Sequence, residues 1–312
     1  MIKIEQGEEI MTWLLQGDVS IQYQSMRDLL DRDKPSLRKK IEFEGWGQRF
    51  LALRNNQKHW GKGFYQPKWI SSHYTLLDLK NLNLSPDNKQ VKETLALIFQ
   101  NNKARDGGIH PIGPSRKSDV CINGMLLNYA CYFKIDPSWL ETIVDFLLSE
   151  EMTDGGFNCQ SNRKGAVHSS LHSTLSVLEG IHEYEKQGYS YRLKELKKAM
   201  TDSIEFILLH KLFRSDKTDD IINPNFLIPY YPCRWYYDIF RALDFFQAAK
   251  LKYDRRIDEA IHVVLEKRMD DGKWKLPSKH PGLVHFEMEK AGEPSRWNTL
   301  RALRILRYFR FL

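Results

Sequence analysis

Apolar residues recur along this chain at helical spacing in segment after segment, as in Leu171, Leu175, Leu178 and Ile181, or Ile204, Ile207 and Leu208. That period marks amphipathic helices rather than strands. One set of such segments begins near Asp18, Trp69, Asp119, Ser169, Pro232 and Pro294, and a second set, at 36–54, 87–101, 137–150, 193–210 and 255–268, alternates with it. Start signals agree: Ser36 follows Pro35, Asp136-Pro137-Ser138 opens one segment, and Pro294-Ser295 opens the last. Several segments follow a glycine turn, most clearly Asp106-Gly107-Gly108-Ile109, Asp154-Gly155-Gly156-Phe157 and Asp271-Gly272-Lys273-Trp274. A repeat of tens of residues implies units that bury their apolar faces on one another.

An open array needs polar ends. The final segment is instead apolar to its close, with Leu303, Leu306, Tyr308, Phe309, Phe311 and Leu312. The expectation is therefore an all-α, closed (α/α)6 toroid of two concentric helix layers, one domain over 1–312. The amino ends of its inner helices should gather at one rim, where unpaired N–H groups favour anions.

Hydrophobic residues make up 42% of the 312, enough for a large core, and no run approaches the ~18 apolar residues of a membrane span. The opening MIKIEQGEEIMTWLLQGD carries Glu5, Glu8 and Glu9 where a signal peptide needs basic residues, which predicts a cytoplasmic protein. Cys121, Cys131, Cys159 and Cys233 form no close CxxC pair and read as reduced thiols. The net charge of +7 is scattered over helical faces (Arg38, Lys39, Lys40; Lys194, Lys197, Lys198; Arg301, Arg304, Arg307, Arg310), the pattern of solvated surface. With no zinc-finger, helix-turn-helix or RNA-binding signature, nucleic acid is not an expected partner.

The stretches DGGIHPIGPSRKSDVC, DGGFNCQSNRKGAVHSSLHSTLSVLEGI and DDGKWKLPSKHPG, each leading into an inner helix, resemble the repeats of the prenyltransferase and squalene-cyclase superfamily. The resemblance spans roughly residues 60–310 and is strongest at 104–183. It implies an α/α toroid whose apolar centre takes an isoprenoid or other lipid-like ligand. It also implies a catalytic Zn2+ held by an Asp-x-Cys at one inner-helix start, Asp119 and Cys121, and by a histidine at the next, His172, with His168 as its neighbour. Three protein ligands would leave one position open. The plainer reading is that Asp119 caps the helix and Cys121 packs.

Departures from that superfamily are visible. Ile122 stands where a tyrosine usually follows the zinc cysteine, only Arg116 and Lys117 match the upstream basic residues, and the second subunit of protein prenyltransferases is not in this chain. The cyclase Asp-x-Asp-Asp motif is missing, and both the run from Asp216 to Asp220 and the DDIIN at 219–223 read as polar loop.

Arg234-Trp235 and Arg296-Trp297 occupy equivalent starts of the fifth and sixth units. With Arg116, Lys117, Arg163 and Lys164 they suggest a basic rim for a diphosphate or carboxylate head group. His73, Tyr74, Trp235 and Trp297 are expected to line the substrate cavity, with Trp69, Tyr129, Tyr132, Tyr236 and Tyr237 as further aromatic candidates. The function expected from all this is a prenyltransferase- or cyclase-like enzyme. Two alternatives are a non-catalytic carrier or sensor toroid and a carbohydrate-active toroid, the latter needing acidic groups at the cavity.

Overall fold

The turn Asp154-Gly155-Gly156-Phe157 shows how an outer helix hands the chain to an inner one. The Asp154 carboxylate accepts hydrogen bonds from the Ser169 amide and hydroxyl, while the Phe157 amide donates to Thr174 Oγ1 at 2.9 Å. Gly155 has φ +87, which a side chain would strain. The other turns repeat the device: Asp106 binds the Ser118 amide and the Ile109 amide donates to Asn123, while the Trp274 amide donates to Thr299. An unheralded copy lies at Trp60, whose amide donates to Ser72 Oγ at 3.0 Å.

These turns join the helices of a closed α/α toroid, seen in a computed structural model that describes residues 4–110 and 117–312. The inner layer is α2 (Val19–Leu30), α5 (Ser72–Asn81), α7 (Val120–Tyr132), α10 (Leu171–Lys186), α12 (Ile239–Ala248) and α14 (Arg296–Tyr308). Around it run α1 (Ile4–Leu15), α3 (Pro35–Lys40), α4 (Gly45–Ala52), α6 (Lys89–Asn101), α8 (Pro137–Ser149), α11 (Leu193–Leu209) and α13 (Asp258–Glu266); α9 (Ser161–Lys164) is a single turn before α10. The apolar core fills the space between layers. There Trp60 and Trp274 are fully buried, and each indole N–H bonds to an outer-layer carbonyl, Phe50 and Val264 respectively.

Closure is electrostatic as well as apolar. Arg304 of α14 reaches Asp28 of α2 at 3.2 Å and also pairs with Asp244 of α12; Arg307 pairs with Asp31 at 2.5 Å. The last inner helix thus lies beside the first, as the apolar carboxyl end predicts.

Two boundaries differ from the sequence pattern. The segment at 36–54 is two helices, because the chain turns at Gly45 so that the Trp46 amide can donate to Asp18 Oδ2 at 2.7 Å. The fifth inner helix starts at Ile239 rather than near Pro232, since Asp238 supplies the cap by accepting from the Arg241 amide at 2.8 Å. The preceding residues fold inward over the ring instead. Strand structure among the described residues is one short pair, β1 (Trp274–Lys275) with β2 (Pro294–Ser295), registered Trp274 to Ser295. The residues between β1 and β2 cross to the second unit, where Trp69 Nε1 donates to the Pro281 carbonyl at 2.7 Å and Thr75 meets His285 at 3.0 Å. No helix among the described residues is long and apolar enough to cross a membrane.

Candidate functional site

Asp119 immediately precedes α7, yet its side chain makes no capping bond to that helix. The Asn123 side chain ties the first turn to the preceding loop, accepting from the Ile109 amide and donating to the Ile109 and Asp119 carbonyls. The Asp119 carboxylate and the Cys121 thiol lie within electrostatic reach of Tyr65 and Lys68. Burial pushes the Tyr65 phenol well above the usual tyrosine range, and the charges of Cys121 and Asp119 push it further. Burial lowers the Lys68 ammonium, against the opposing pull of the same two groups. Lys68 Nζ sits between two indoles, 4.7 Å from the Trp69 ring centre and 5.1 Å from that of Trp235, a cation–π arrangement. The Cys121 amide donates to Cys159 Sγ at 3.2 Å, and the hydrogen bond from the Cys121 thiol holds Cys159 below its ordinary value.

Next to this group, Trp235, Tyr236 and His280 form a stack, with ring centres 4.0 Å and 3.7 Å apart. His172 abuts it, 5.1 Å from Trp235. The Tyr237 amide donates to His172 Nδ1 at 2.8 Å, so the neutral ring carries its proton on Nε2. Burial, with Arg241 adding its charge, lowers His172 to about 4, and burial with Arg234, His172 and Lys68 brings His280 to about 4. At neutral pH His172 is an uncharged donor.

That tautomer disagrees with a zinc ligand. A metal-bound histidine donates its second N–H to an acceptor, whereas His172 Nδ1 faces another donor. No group of three or more His, Cys, Asp or Glu side chains placed to hold a metal occurs among the described residues. His168 is exposed, with its carbonyl bonded to Asn158.

The expected basic rim is also redistributed. Arg234 is buried and pairs with Asp78 of α5 at 2.5 Å. Arg296 turns outward, its guanidinium 4.5 Å from the Trp13 ring centre and its Nε donating to the Trp13 carbonyl. Arg116 falls outside the described residues; Lys117 is exposed. His73 and Tyr74 are fully buried, His73 bonded to Tyr129 and Tyr74 to Tyr65, so they support the mouth from beneath rather than line it. Trp297 is buried in a stack between Trp46 and Tyr231. Residues 219–223 lie in a mostly exposed loop, where Asp219 pairs with Lys211.

The interior of the ring is not an apolar tunnel. Its cavity of about 520 Å³, at the carboxyl half of the inner helices, is walled by ion pairs such as Arg241 with Glu179 and Arg304 with Asp244, together with Asn81, Asn83 and Asn128. An isoprenoid tail would strip water from those charges at a cost in free energy. Tyr65, Lys68 and His280 were not singled out from sequence. Several of their neighbours, such as Trp235 for Lys68 and Tyr236 for His280, are distant along the chain, and only the Trp235-Tyr236 dipeptide hinted at a platform.

No protein-family model matches the chain, and neither does any curated protein. Two solved structures share its fold over 99% of both chains: a polysaccharide lyase, at 13% identity and a TM-score of 0.55, and a glycosyl hydrolase family 88 protein from Bacteroides vulgatus, at 14% and 0.53. This corrects the resemblance to the prenyltransferase and squalene-cyclase superfamily, and with it the isoprenoid ligand. The glycine turns mark an α/α ring, a feature of ring closure and not of that chemistry.

Proposed function

We propose that this protein is a carbohydrate-active enzyme that cleaves a glycosidic bond in an acidic saccharide held at the amino-end mouth of the ring. The observation that carries this reading is Asp119, a carboxylate at an inner-helix start that does not serve as a helix cap and lies within electrostatic reach of Lys68 and Tyr65. Saccharides present flat C–H faces and rings of hydroxyls, and the Trp235-Tyr236-His280 stack offers the complementary apolar plane. Lys68, held between indoles, supplies a cation for a uronate carboxylate; His172 supplies an uncharged N–H donor. Asp119 is the proton-transfer group, the role a carboxylate plays in glycoside cleavage. Tyr65, kept as a phenol by burial, is a donor for the leaving oxygen. The two fold neighbours, one a polysaccharide lyase and the other a glycosyl hydrolase, support the substrate class. Four free cysteines support a reducing, cytoplasmic setting.

The test is incubation with a panel of uronate-containing oligosaccharides and polysaccharides, reading new reducing ends and the ultraviolet absorbance of unsaturated uronate. Cleavage of an acidic member that is lost in Asp119→Asn supports the reading, whether the product is hydrolytic or unsaturated. Undiminished cleavage by Asp119→Asn, or no cleavage across the panel, overturns it.

A further inference from the structure

The cavity at the opposite, carboxyl end of the ring has no part in the chemistry assigned to Asp119. All six inner helices contribute to its wall, and its volume of about 520 Å³ falls within the range of small-ligand pockets. Its lining carries seven Lys or Arg residues against four Asp or Glu; Asp78 and Asp238 behind it match Arg234 and Arg301, which leaves an excess of one positive charge (7 − 6). Basic residues at helix carboxyl ends offset the helix dipole, which explains some of this excess. The arrangement of the pairs shows where that explanation stops.

Arg241 is matched by Glu179 through two hydrogen bonds, of 2.9 and 2.7 Å, and Arg304 by Asp244 through two more. Lys80, near the end of α5, and Lys186, at the end of α10, have no such match. Both ammonium groups lie 3.8 Å from the same oxygen of Glu183, too far for a hydrogen bond, and neither donates one among the described residues. Two cations therefore share one buried carboxylate, the exposed Lys186 with its N–H donors open to solvent and the more buried Lys80 with none bonded to protein among the described residues. Asn128, on the same wall and 2% exposed, makes no side-chain hydrogen bond among the described residues, and its Oδ1 is buried without a partner. A buried amide of this kind costs free energy unless something bonds to it. Asn81 also lines the cavity, as does Asn83, whose amide is held between the Arg27 guanidinium and the Asn81 carbonyl.

We infer that this cavity is a second binding site, for a hydroxylated anion of monosaccharide size, with Lys80 and Lys186 taking the anionic group and the Asn81 and Asn128 side chains meeting the hydroxyls. Carboxylate and phosphate share this chemistry, so a free hexuronate and a sugar phosphate are its two sources. The inference does not depend on the reading of the amino-end mouth.

Calorimetric titration of the intact protein with glucuronate, glucose 6-phosphate, glucose and inorganic phosphate tests it. At least one of the first two should bind more tightly than both glucose and inorganic phosphate. Lys186→Ala should raise its Kd roughly tenfold, the loss of a charge-assisted hydrogen bond. Glu183→Gln, which removes the competing carboxylate and leaves both lysines, should lower it. Asp119→Asn should leave the Kd unchanged, so that failure here and failure of the proposed catalysis are read separately. Binding lost in Asp119→Asn but kept in Lys186→Ala would overturn the site, as would no binding by either sugar acid. Inorganic phosphate binding as tightly as glucose 6-phosphate would overturn the role of the hydroxyls.

Discussion

Asp78 and Arg234 meet inside the ring with Oδ2 and Nη1 2.5 Å apart, an ion pair with both side chains buried. Arg234 borders both the small hollow on the amino side and the cavity on the carboxyl side, so the pair stands in the partition between the two mouths. It also ties α5 to the segment leading into α12. Removing one partner leaves the other charge buried and uncompensated. Asp78→Ala is expected to destabilise the fold by about 3–5 kcal/mol, measured by denaturant unfolding. Replacing both residues together should cost less than the sum of the single changes.

The buried histidines predict a pH dependence. His172, His280 and His285 are lowered to about 4, and His73 to about 3, in every case chiefly by burial. Unfolded histidine titrates near 6.5, so between about 4 and 6.5 the unfolded chain binds more protons than the folded one. Stability should therefore rise with pH through that window and be fully present above it. Unfolding near pH 5 should take up roughly three to four protons from these groups, read from the slope of unfolding free energy against pH. His172→Gln should remove about one of them.

His172 also predicts indifference to zinc. Because the Tyr237 amide occupies Nδ1, nitrogen NMR of the folded protein should report the Nε2–H tautomer. Added zinc should leave the melting temperature unchanged. A zinc-dependent rise that disappears in Cys121→Ala would contradict the geometry.

The glycine turns should be worth measurable stability. Thr174→Val keeps the shape but leaves the Phe157 amide without its acceptor, at a cost of about 1–3 kcal/mol. Gly155→Ala places a methyl group at φ +87 against the Asp202 carbonyl and should lose at least about 1 kcal/mol. Thermal or denaturant melts of the two variants check both values.

Asp119 and Asp238 precede inner helices in the same way and should respond oppositely. Asp238 caps α12 and pairs with Arg301 at 3.2 Å, so Asp238→Ala should cut stability by several kcal/mol. Asp119 does not cap α7. Asp119→Asn should melt within a few degrees of the parent while saccharide cleavage falls by about a hundredfold or more. Paired melting and cleavage assays on the two variants decide this.

What the sequence determined by itself is the ring. Helical periodicity, glycine turns and an apolar carboxyl end are consequences of burial within a unit and its neighbour, so they leave a local signature. They located five of the six inner-helix starts closely, and missed the fifth because Asp238, not the proline before it, supplies the cap. The chemistry of the interior had no such signature. Arg234 finds Asp78 across 156 residues and Arg304 finds Asp28 across 276, and nothing in the spacing of either member names its partner. Arg234, which reads as part of a rim, is thus spent in an ion pair, and a histidine that aligns with a cysteine is turned the wrong way by one backbone amide. The Lys68–Asp119 neighbourhood and the unmatched lysines around Glu183 likewise exist only once the six helices close. Closure alone brings charges from distant units within a few ångströms, in a space where each must be paired, hydrogen-bonded or left for a ligand.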